Sequence, residues 1–256
     1  MDAELARLLL TTFVAALIAD LSMAFGVAPF FFVQRLSTKL TGMFSAAAGG
    51  MMAAAGLVQL VGEGLDRGPG LGGWEVVAGL LVGGALYAMA ARWMETHEEF
   101  DVLSLREAGG TRALLIVAAM TIHSLPEGIA IGVAFGSQDR GLGFAVVSAL
   151  AVHNVPEAIA ITLGLRAAGV TAWRCLGYAL LTSVPQPLAA PFAAWFIWLF
   201  EPLLPFGMGL AAGAMTFLVI EDLLPEAFER APRLAVAGAF VGGAGAMVVL
   251  GRLMGL

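Results

Sequence analysis

Two short units of this sequence combine a histidine, a proline and a glutamate within otherwise apolar stretches. The first reads HSLPEG at 123–128 and the second reads HNVPEA at 153–158. In each unit the histidine and the glutamate are four residues apart, so a helix places both side chains on one face. Two imidazoles and two carboxylates suit Zn²⁺ and also tolerate Fe²⁺, Mn²⁺ or Cd²⁺. The four candidate ligands are His123, Glu127, His153 and Glu157.

The segments that carry these units are long enough to cross a membrane. Of the 256 residues, 60% are hydrophobic and 12% are charged, whereas a soluble domain has about 25% charged residues. Apolar runs of about 20 residues cross a hydrocarbon core of roughly 30 Å. We therefore predict an all-α polytopic membrane protein, with one transmembrane domain over residues 1–256 and no nucleic-acid partner. The eight predicted spans are about 8–32, 40–62, 74–92, 113–136, 141–165, 173–199, 203–223 and 234–254.

Both units fall near the middle of their spans, where ionisable side chains are expensive. Insertion scales assign roughly 2.5–3.5 kcal/mol to a charged side chain at the centre of a membrane helix. Pro126 and Pro156 add a second cost, because each removes a backbone N–H and frees a carbonyl one turn earlier. Such a carbonyl is tolerated where a helix lines a polar cavity. One His–Glu pair alone is equally consistent with a hydrogen bond between helices, but two units at matched depth favour a metal site.

The distribution of basic residues predicts the orientation in the membrane. If the N-terminus is outside, the inner loops hold nine Lys and Arg residues and the outer side holds four. Because cytoplasmic loops carry the excess of Lys and Arg, we place both termini on the extracytoplasmic side of the cell (inner or plasma) membrane. The longest loop, 92–112, is then cytoplasmic. Its acidic residues and His97 are consistent with weak cation binding or with a solvated connector.

Beyond these units, longer stretches resemble a known family. HSLPEGIA and HNVPEAIA resemble the paired motifs in the fourth and fifth spans of the Zrt/Irt-like (ZIP) metal transporters. SAAAGGMMAAAGLVQL resembles the second span of that family, and AAGAMTFLVIEDLLPEA resembles the seventh span of its bacterial GufA-type branch. The resemblance implies import of divalent cations, inverted three-helix repeats around helices 4 and 5, and a homodimer. It also implies that Zn²⁺ is a bound substrate rather than a cofactor, held by the same four residues.

Three positions depart from the binuclear pattern of many family members. Ser124 replaces an asparagine, Asn154 offers only a neutral carbonyl oxygen, and Gln186 stands where the sixth span often carries a glutamate. A second cation would therefore share Glu127 and Glu157 while gaining only neutral oxygens. We predict one well-occupied metal position, with Asn154 as a further ligand, and a second position that is weak or lost.

Other polar and sulfur-containing residues along the spans are candidates for the cation path. Asp20, at the centre of the first span, is consistent with a pathway carboxylate or with a partner for a neighbouring helix. The remaining candidates are methionines of the second span, polar residues at its outer end and acids at the inner end of the seventh. They are Met51, Met52, Gln59, Glu63, Glu221, Asp222 and Glu226.

Two other functions would use the same residues. An intramembrane zinc metalloenzyme would hold a catalytic ion with an open coordination position, but the sequence has no His-Glu-x-x-His stretch, and we predict no enzymatic activity. A passive cation channel would contain the same site, and the sequence does not separate it from a carrier. Our prediction is alternating access around a site at the membrane midplane.

Overall fold

The computed structural model of the chain describes residues 3–33, 37–67, 73–97 and 111–254, without the side chains of 93–97, 111–120 and 122. Within those ranges the secondary structure is helical and contains no strand, which confirms the predicted all-α class. Most of the proposed cytoplasmic loop 92–112 lies outside the described residues. The helices are α1 (Ala3–Phe31), α2 (Thr38–Arg67), α3 (Trp74–His97), α4 (Thr111–Gly136), α5 (Arg140–Ala167), α6 (Ala172–Leu199), α7 (Glu201–Arg230) and α8 (Arg233–Met254).

These helices have the length and composition of membrane spans. Among the described residues, seven of these helices are both long enough and apolar enough to span a membrane. The remaining helix, α4, has 26 residues. At about 1.5 Å per residue α4 also exceeds a hydrocarbon core of roughly 30 Å. Large apolar side chains such as Leu81 and Leu234 are exposed, at 66% and 87%, as expected for side chains that face lipid.

Four helices change their geometry part-way along. In α1 the break is at Ser22, whose hydroxyl lies 2.6 Å from the Ala19 carbonyl oxygen and 2.7 Å from that of Ala151. In α6 the break falls at Val184, directly before Pro185, which has no N–H to continue the helix. Helices α2 and α7 each contain a π-helical turn, at Ala55–Leu60 and Val219–Leu223. The internal segments are Ala3–Leu21, Met23–Val27, Ala28–Phe31, Thr38–Ala54, Val61–Arg67, Ala172–Ser183, Pro185–Leu199, Glu201–Leu203, Leu204–Leu218 and Leu224–Arg230.

The helix contacts repeat between the first and last thirds of the chain. Helix α2 packs on α8, and α3 packs on α7; α4 contacts α6 and α7, while α5 contacts α1 and α2. Exchanging α1 with α6, α2 with α7, α3 with α8 and α4 with α5 gives the same set of contacts. The exchange also pairs the two broken helices and the two helices with π turns. Because it pairs odd-numbered with even-numbered spans, the repeats are inverted, as expected around central helices α4 and α5.

The same contacts divide the bundle into two sets of helices. The central set is α1, α4, α5 and α6, and the flanking set is α2, α3, α7 and α8. Glycines allow close packing within the flanking set. A Cβ added at Gly83 of α3 would overlap the carbonyl oxygen of Leu210, and one at Gly213 of α7 would overlap that of Leu80. The two sets meet where α2 contacts α5 and where α7 contacts α4.

Candidate metal centre

Three of the four predicted ligands form a compact, buried group between α4 and α5. Glu127, His153 and Glu157 are 0%, 0% and 3% exposed. The His153 Nδ1 atom lies 3.5 Å from Glu127 Oε1 and 3.7 Å from Glu157 Oε2. One ligand atom from each residue lies within 4.8 Å of the others. Zinc binds nitrogen and oxygen at about 2.0–2.2 Å, so small side-chain movements would bring all three atoms onto one ion.

The polar atoms of this group have no hydrogen-bond partner in the part of the chain that the structure describes. This holds for both carboxylate oxygens of Glu127, both of Glu157 and both ring nitrogens of His153. A buried carboxylate without a donor or a counter-charge costs several kcal/mol. A divalent cation between the three side chains would satisfy these atoms and offset the two negative charges. The chemistry of the group therefore fits a divalent cation.

The local sequence explains how the two helices present these side chains. Asp139 accepts a hydrogen bond from the Leu142 N–H at 3.1 Å and begins α5 as its N-cap. The four-residue spacing then places His153 and Glu157 on one face of α5. Pro126 and Pro156 lie inside α4 and α5, next to the group, as expected for prolines that free a carbonyl beside a polar site.

His123, the fourth predicted ligand, is buried but lies beside this group rather than within it. Its Nε2 atom is 3.7 Å from Asp222 Oδ2 on α7. The Tyr87 hydroxyl of α3 donates a hydrogen bond to that same carboxylate oxygen at 2.8 Å, and the rings of Tyr87 and His123 lie 6.4 Å apart. The structure thus connects His123 to Asp222, one of the candidate acids of α7. The role of His123 as a ligand remains a prediction.

Residues of the predicted second cation position form a neutral network on the other side of the group. The Asn154 amide donates to the Ala19 carbonyl at 2.9 Å and to Gln186 Oε1 at 3.5 Å, which leaves the buried Asn154 Oδ1 without a partner in the described chain. Ser183 donates to the same Gln186 oxygen at 3.4 Å. Gln186 therefore accepts from two side chains and contributes no charge to the site.

Two further candidates border this network. The Ser124 hydroxyl donates to the Thr182 carbonyl oxygen at 3.0 Å. Asp20 of α1 is 4% exposed, and its Oδ1 has no hydrogen-bond partner among the described residues. The Ser183 hydroxyl faces Asp20. Asp20 lies outside the compact group of three ligands.

The remaining candidates lie away from the three-residue group. Met51 and Met52 are buried in α2 just before its π turn, and Gln59 donates to the Met247 carbonyl oxygen at 3.1 Å. Towards the C-terminal end of α7, Glu226 accepts a hydrogen bond from Ser45 at 3.3 Å, and Glu221 is exposed. Glu63 pairs with Arg67 at 3.0 Å near the end of α2.

The space around the group is unequal on its two sides. Towards the C-terminal end of α7, a cavity of about 40 Å³ extends from Glu157 to Glu226 and Arg230. Towards the end of the bundle where α1 begins, which we call the N-terminal face, a cavity of about 10 Å³ lies between side chains such as Leu60 and Leu150, and a separate cavity of about 380 Å³ lies at the face itself, beside Arg7 and Arg140. Glu157 lines the cavity on the opposite side, whereas no residue of the group lines either of the two cavities on the N-terminal side.

Sequence reasoning missed two contacts, one beside the site and one at the N-terminal face. Tyr87 is a single hydroxyl in an apolar span, so its polarity was a usable signal, but its partner Asp222 is 135 positions away. Arg67 lies 2.7 Å from Asp139 Oδ2, and these residues are 72 positions apart. Nothing in the spacing of Arg67 and Asp139 indicates that they meet.

Comparison with known proteins finds a matching family and several similar proteins. The sequence profile of the family described as "ZIP Zinc transporter" matches residues 95–251. Zinc transporter GufA of Myxococcus xanthus is 36% identical, over 89% of this chain and 94% of that protein. A longer Arabidopsis thaliana protein, also named for zinc transport, is 36% identical over 84% of this chain, which spans only 34% of its length. Zinc transporter ZIP11 of Homo sapiens is 44% identical over 48% of this chain and 39% of its own length.

Proposed function

Because this chain belongs to the ZIP zinc transporter family, we propose that it imports divalent cations, with Zn²⁺ as the first candidate and Fe²⁺, Mn²⁺ and Cd²⁺ as competitors. The observation that carries this proposal is the buried group of Glu127, His153 and Glu157, whose polar side-chain atoms have no hydrogen-bond partner among the described residues. The group lies between α4 and α5, at the level of their internal prolines. Its chemistry and its depth match a transported cation better than a structural ion at a surface.

The negative charges of two of these side chains favour binding of a cation at this group. A hydrated cation loses water as it enters, and the carboxylates of Glu127 and Glu157 compensate for its double charge where water is scarce. Neutral His153 adds a nitrogen ligand, which favours zinc over magnesium or calcium. His123 and Asn154 complete the proposed coordination when the side chains adjust. Because the ligands bind the cation only in their deprotonated forms, binding weakens as the pH falls.

We propose one well-occupied cation per chain. A second ion would have to use the neutral oxygens of Ser124, Asn154 and Gln186, and the Gln186 oxygen already accepts hydrogen bonds from Asn154 and Ser183. Asp20 is a buried carboxylate outside the group, and we place it on the path rather than in the site.

Transport requires the group to face each side of the membrane in turn. In this structure Glu157 lines the cavity that reaches Glu226 and Arg230, whereas no residue of the group lines the cavities on the N-terminal side. With the orientation that the basic residues predict, we propose that this state gives access from the cytoplasm. Gln59 and Glu63 then border the entrance, and Glu221, Asp222 and Glu226 border the exit. Movement of the central set of helices against the flanking set would exchange the two states.

Location and assembly are part of the same proposal. The multi-pass helices require a lipid bilayer, and we assign the chain to the cell membrane with both termini outside. The homodimer follows only from the family resemblance. An accessible-cysteine test at the termini and cross-linking in the membrane would address these two points separately.

Uptake into proteoliposomes tests the central proposal. We expect purified protein to accelerate Zn²⁺ entry, detected by an indicator inside the vesicles, and we expect saturation with rising Zn²⁺, as for a carrier. Glu127→Ala and His153→Ala should remove this uptake, while Glu229→Ala, an exposed acid without an ion pair in the described chain, should not. Competition by Fe²⁺, Mn²⁺ and Cd²⁺ at two pH values ranks the substrates. Wild-type rates in Glu127→Ala would refute the proposed site.

A further inference from the structure

One ion pair joins the two helix sets at the N-terminal face. Arg67, near the end of α2 in the flanking set, lies 2.7 Å from the Oδ2 atom of Asp139. Asp139 is the N-cap of α5 in the central set and also accepts from the Leu142 N–H. On its other side, Arg67 is held by Glu63, one turn earlier in α2, at 3.0 Å. Arg67 is therefore fixed on its own helix and reaches across to the other set.

The location of the Arg67–Asp139 pair bears on access to the metal group. Between the pair and the metal group, apolar residues of α2 and α5 such as Leu60 and Leu150 line a cavity of only about 10 Å³, which is separate from the cavity of about 380 Å³ beside Arg140. The pair and this apolar layer lie on the same side of Glu127, His153 and Glu157. Among the described residues, this is the ion pair that connects the two sets at the N-terminal face. Arg67 is near the end of α2 and Asp139 begins α5, so any movement that separates these two helix ends breaks the pair.

The electrostatics favour the closed contact. The Arg67 guanidinium, and then the Leu142 N–H, hold the pKa of Asp139 below its usual range. The side chains of Arg67 and Asp139 remain 31% and 42% exposed, so solvent weakens the attraction. A pair of this strength can bias two states without locking either of them.

We propose that Arg67 is a gating residue for transport: its contact with Asp139 closes the N-terminal face while the metal group is open to the opposite face. The inference rests on the proposed transport function. Entry of a cation from the N-terminal face then begins with the release of Asp139 from Arg67, and return to the present state restores the contact. Glu63 acts as a positioning residue that keeps the guanidinium on α2 when Asp139 is released.

Cysteine accessibility tests the gate without measuring transport. In a Cys175→Ala background, which removes the single native cysteine, Leu150→Cys reports on the N-terminal side of the metal group, and Ile161→Cys reports on the opposite cavity. A membrane-impermeant maleimide is applied to each face separately. Removing the pair with Arg67→Gln should raise labelling of Leu150→Cys by about two- to five-fold, the population shift that an exposed ion pair supplies. The same change should lower labelling of Ile161→Cys.

Charge reversal strengthens the test. Arg67→Glu should have a larger effect than Arg67→Gln, because it places a negative charge against Asp139. Adding Asp139→Arg to Arg67→Glu should return both labelling rates to within about two-fold of the starting protein, the range expected for a re-formed surface pair. Arg252→Glu is the matched control, since Arg252 is exposed near the same face and has no ion pair among the described residues.

The outcomes separate a gate from damage to the fold. General loosening would raise labelling at both cysteines, whereas a gate shift raises one and lowers the other. The proposal is overturned if Arg67→Glu leaves the Leu150→Cys rate unchanged or if both rates rise together. Because Asp139→Arg also removes the N-cap of α5, it is measured alone as well, and a swapped pair that restores the rates no better than Asp139→Arg alone also overturns the proposal. Absence of Zn²⁺ uptake by the unmodified protein would instead refute the proposed function and leave the labelling result to be judged separately.

Discussion

The two His-x-x-Pro-Glu units are nearly identical in sequence and occupy different surroundings. In the second unit, His153 and Glu157 both belong to the compact group. In the first, Glu127 belongs to it, while His123 faces Asp222. The difference arises from the neighbouring helices, because α5 faces α2 at this level and α4 faces α7. The comparison teaches that a repeated motif fixes the depth and direction of its side chains, whereas the partner helix determines what each side chain contacts.

The last residue of each unit also differs according to the helix that packs against it. A Cβ at Gly128 would come within 2.6 Å of the Gln186 carbonyl oxygen, so α6 approaches the first unit closely. The second unit has Ala158 at that position, and there the glycine is on the partner helix, since a Cβ at Gly26 would lie 2.7 Å from the Ala158 Cβ. Close packing at each unit needs one glycine, and the two units supply it from opposite sides of the contact.

The largest expected difference between the units concerns their histidines. His153→Ala removes one of three ligands from the compact group and should reduce Zn²⁺ affinity by more than the roughly 10–100-fold caused by changes outside the first coordination shell. His123→Ala should cause a smaller loss, because His123 has to leave its contact with Asp222 before it can coordinate the cation. Isothermal titration of purified protein with Zn²⁺ measures both. Equal losses would show that the two units contribute equally and that the contact with Asp222 does not weaken the contribution of His123.

The next effect concerns the contact between His123 and Asp222. If the two residues act together during release, Asp222→Asn and His123→Ala should be non-additive in the rate of uptake, with a coupling of about 0.5–3 kcal/mol. Tyr87→Phe removes the hydroxyl that donates to Asp222 and should give a smaller reduction of the same kind. Additive effects in this double-mutant cycle would place Asp222 outside the path from His123.

A smaller change should follow from restoring charge near the second unit. Gln186→Glu adds a carboxylate next to Asn154, and we expect the bound zinc to rise from one towards two ions per chain, because the new charge compensates for a second cation. Metal content after dialysis, measured by mass spectrometry, reports the number. Gln186→Met, which matches the length without charge, is the control. Two ions on the unmodified protein would contradict the single-site proposal.

The smallest difference should come from the two prolines. Pro126→Ala and Pro156→Ala each return an N–H to the helix and allow the freed carbonyl to bond within it. We expect reductions in uptake of only a few-fold, because the ligands remain and only the local bend changes. If Pro156→Ala were as damaging as His153→Ala, the freed carbonyl itself would have to take part in cation binding.

The sequence was sufficient for the class of the fold, and it singled out the three residues that the structure brings together as a candidate site, for identifiable reasons. Polar side chains are so costly in a membrane that Glu127, His153 and Glu157 stood out, and four-residue spacing placed them on helix faces. The bond from Tyr87 to Asp222 and the pair between Arg67 and Asp139 could not be foreseen, because each joins residues far apart in the chain. The helix bounds also differ from the expected spans: α7 continues to Arg230, beyond the apolar run that ends near 223, because charged turns can remain helical outside hydrocarbon.

The π turn at Val219–Leu223 carries a consequence for the evolution of this chain. A single π turn amounts to one residue inserted into an α-helix. Deleting one residue there would rotate everything after it by about 100° and shift it by about 1.5 Å, turning Asp222 or Glu226 away from the partners they now meet. Relatives should therefore accept substitutions within this turn far more readily than a change in its length. An insertion or deletion there would be expected only together with a compensating one in the same helix.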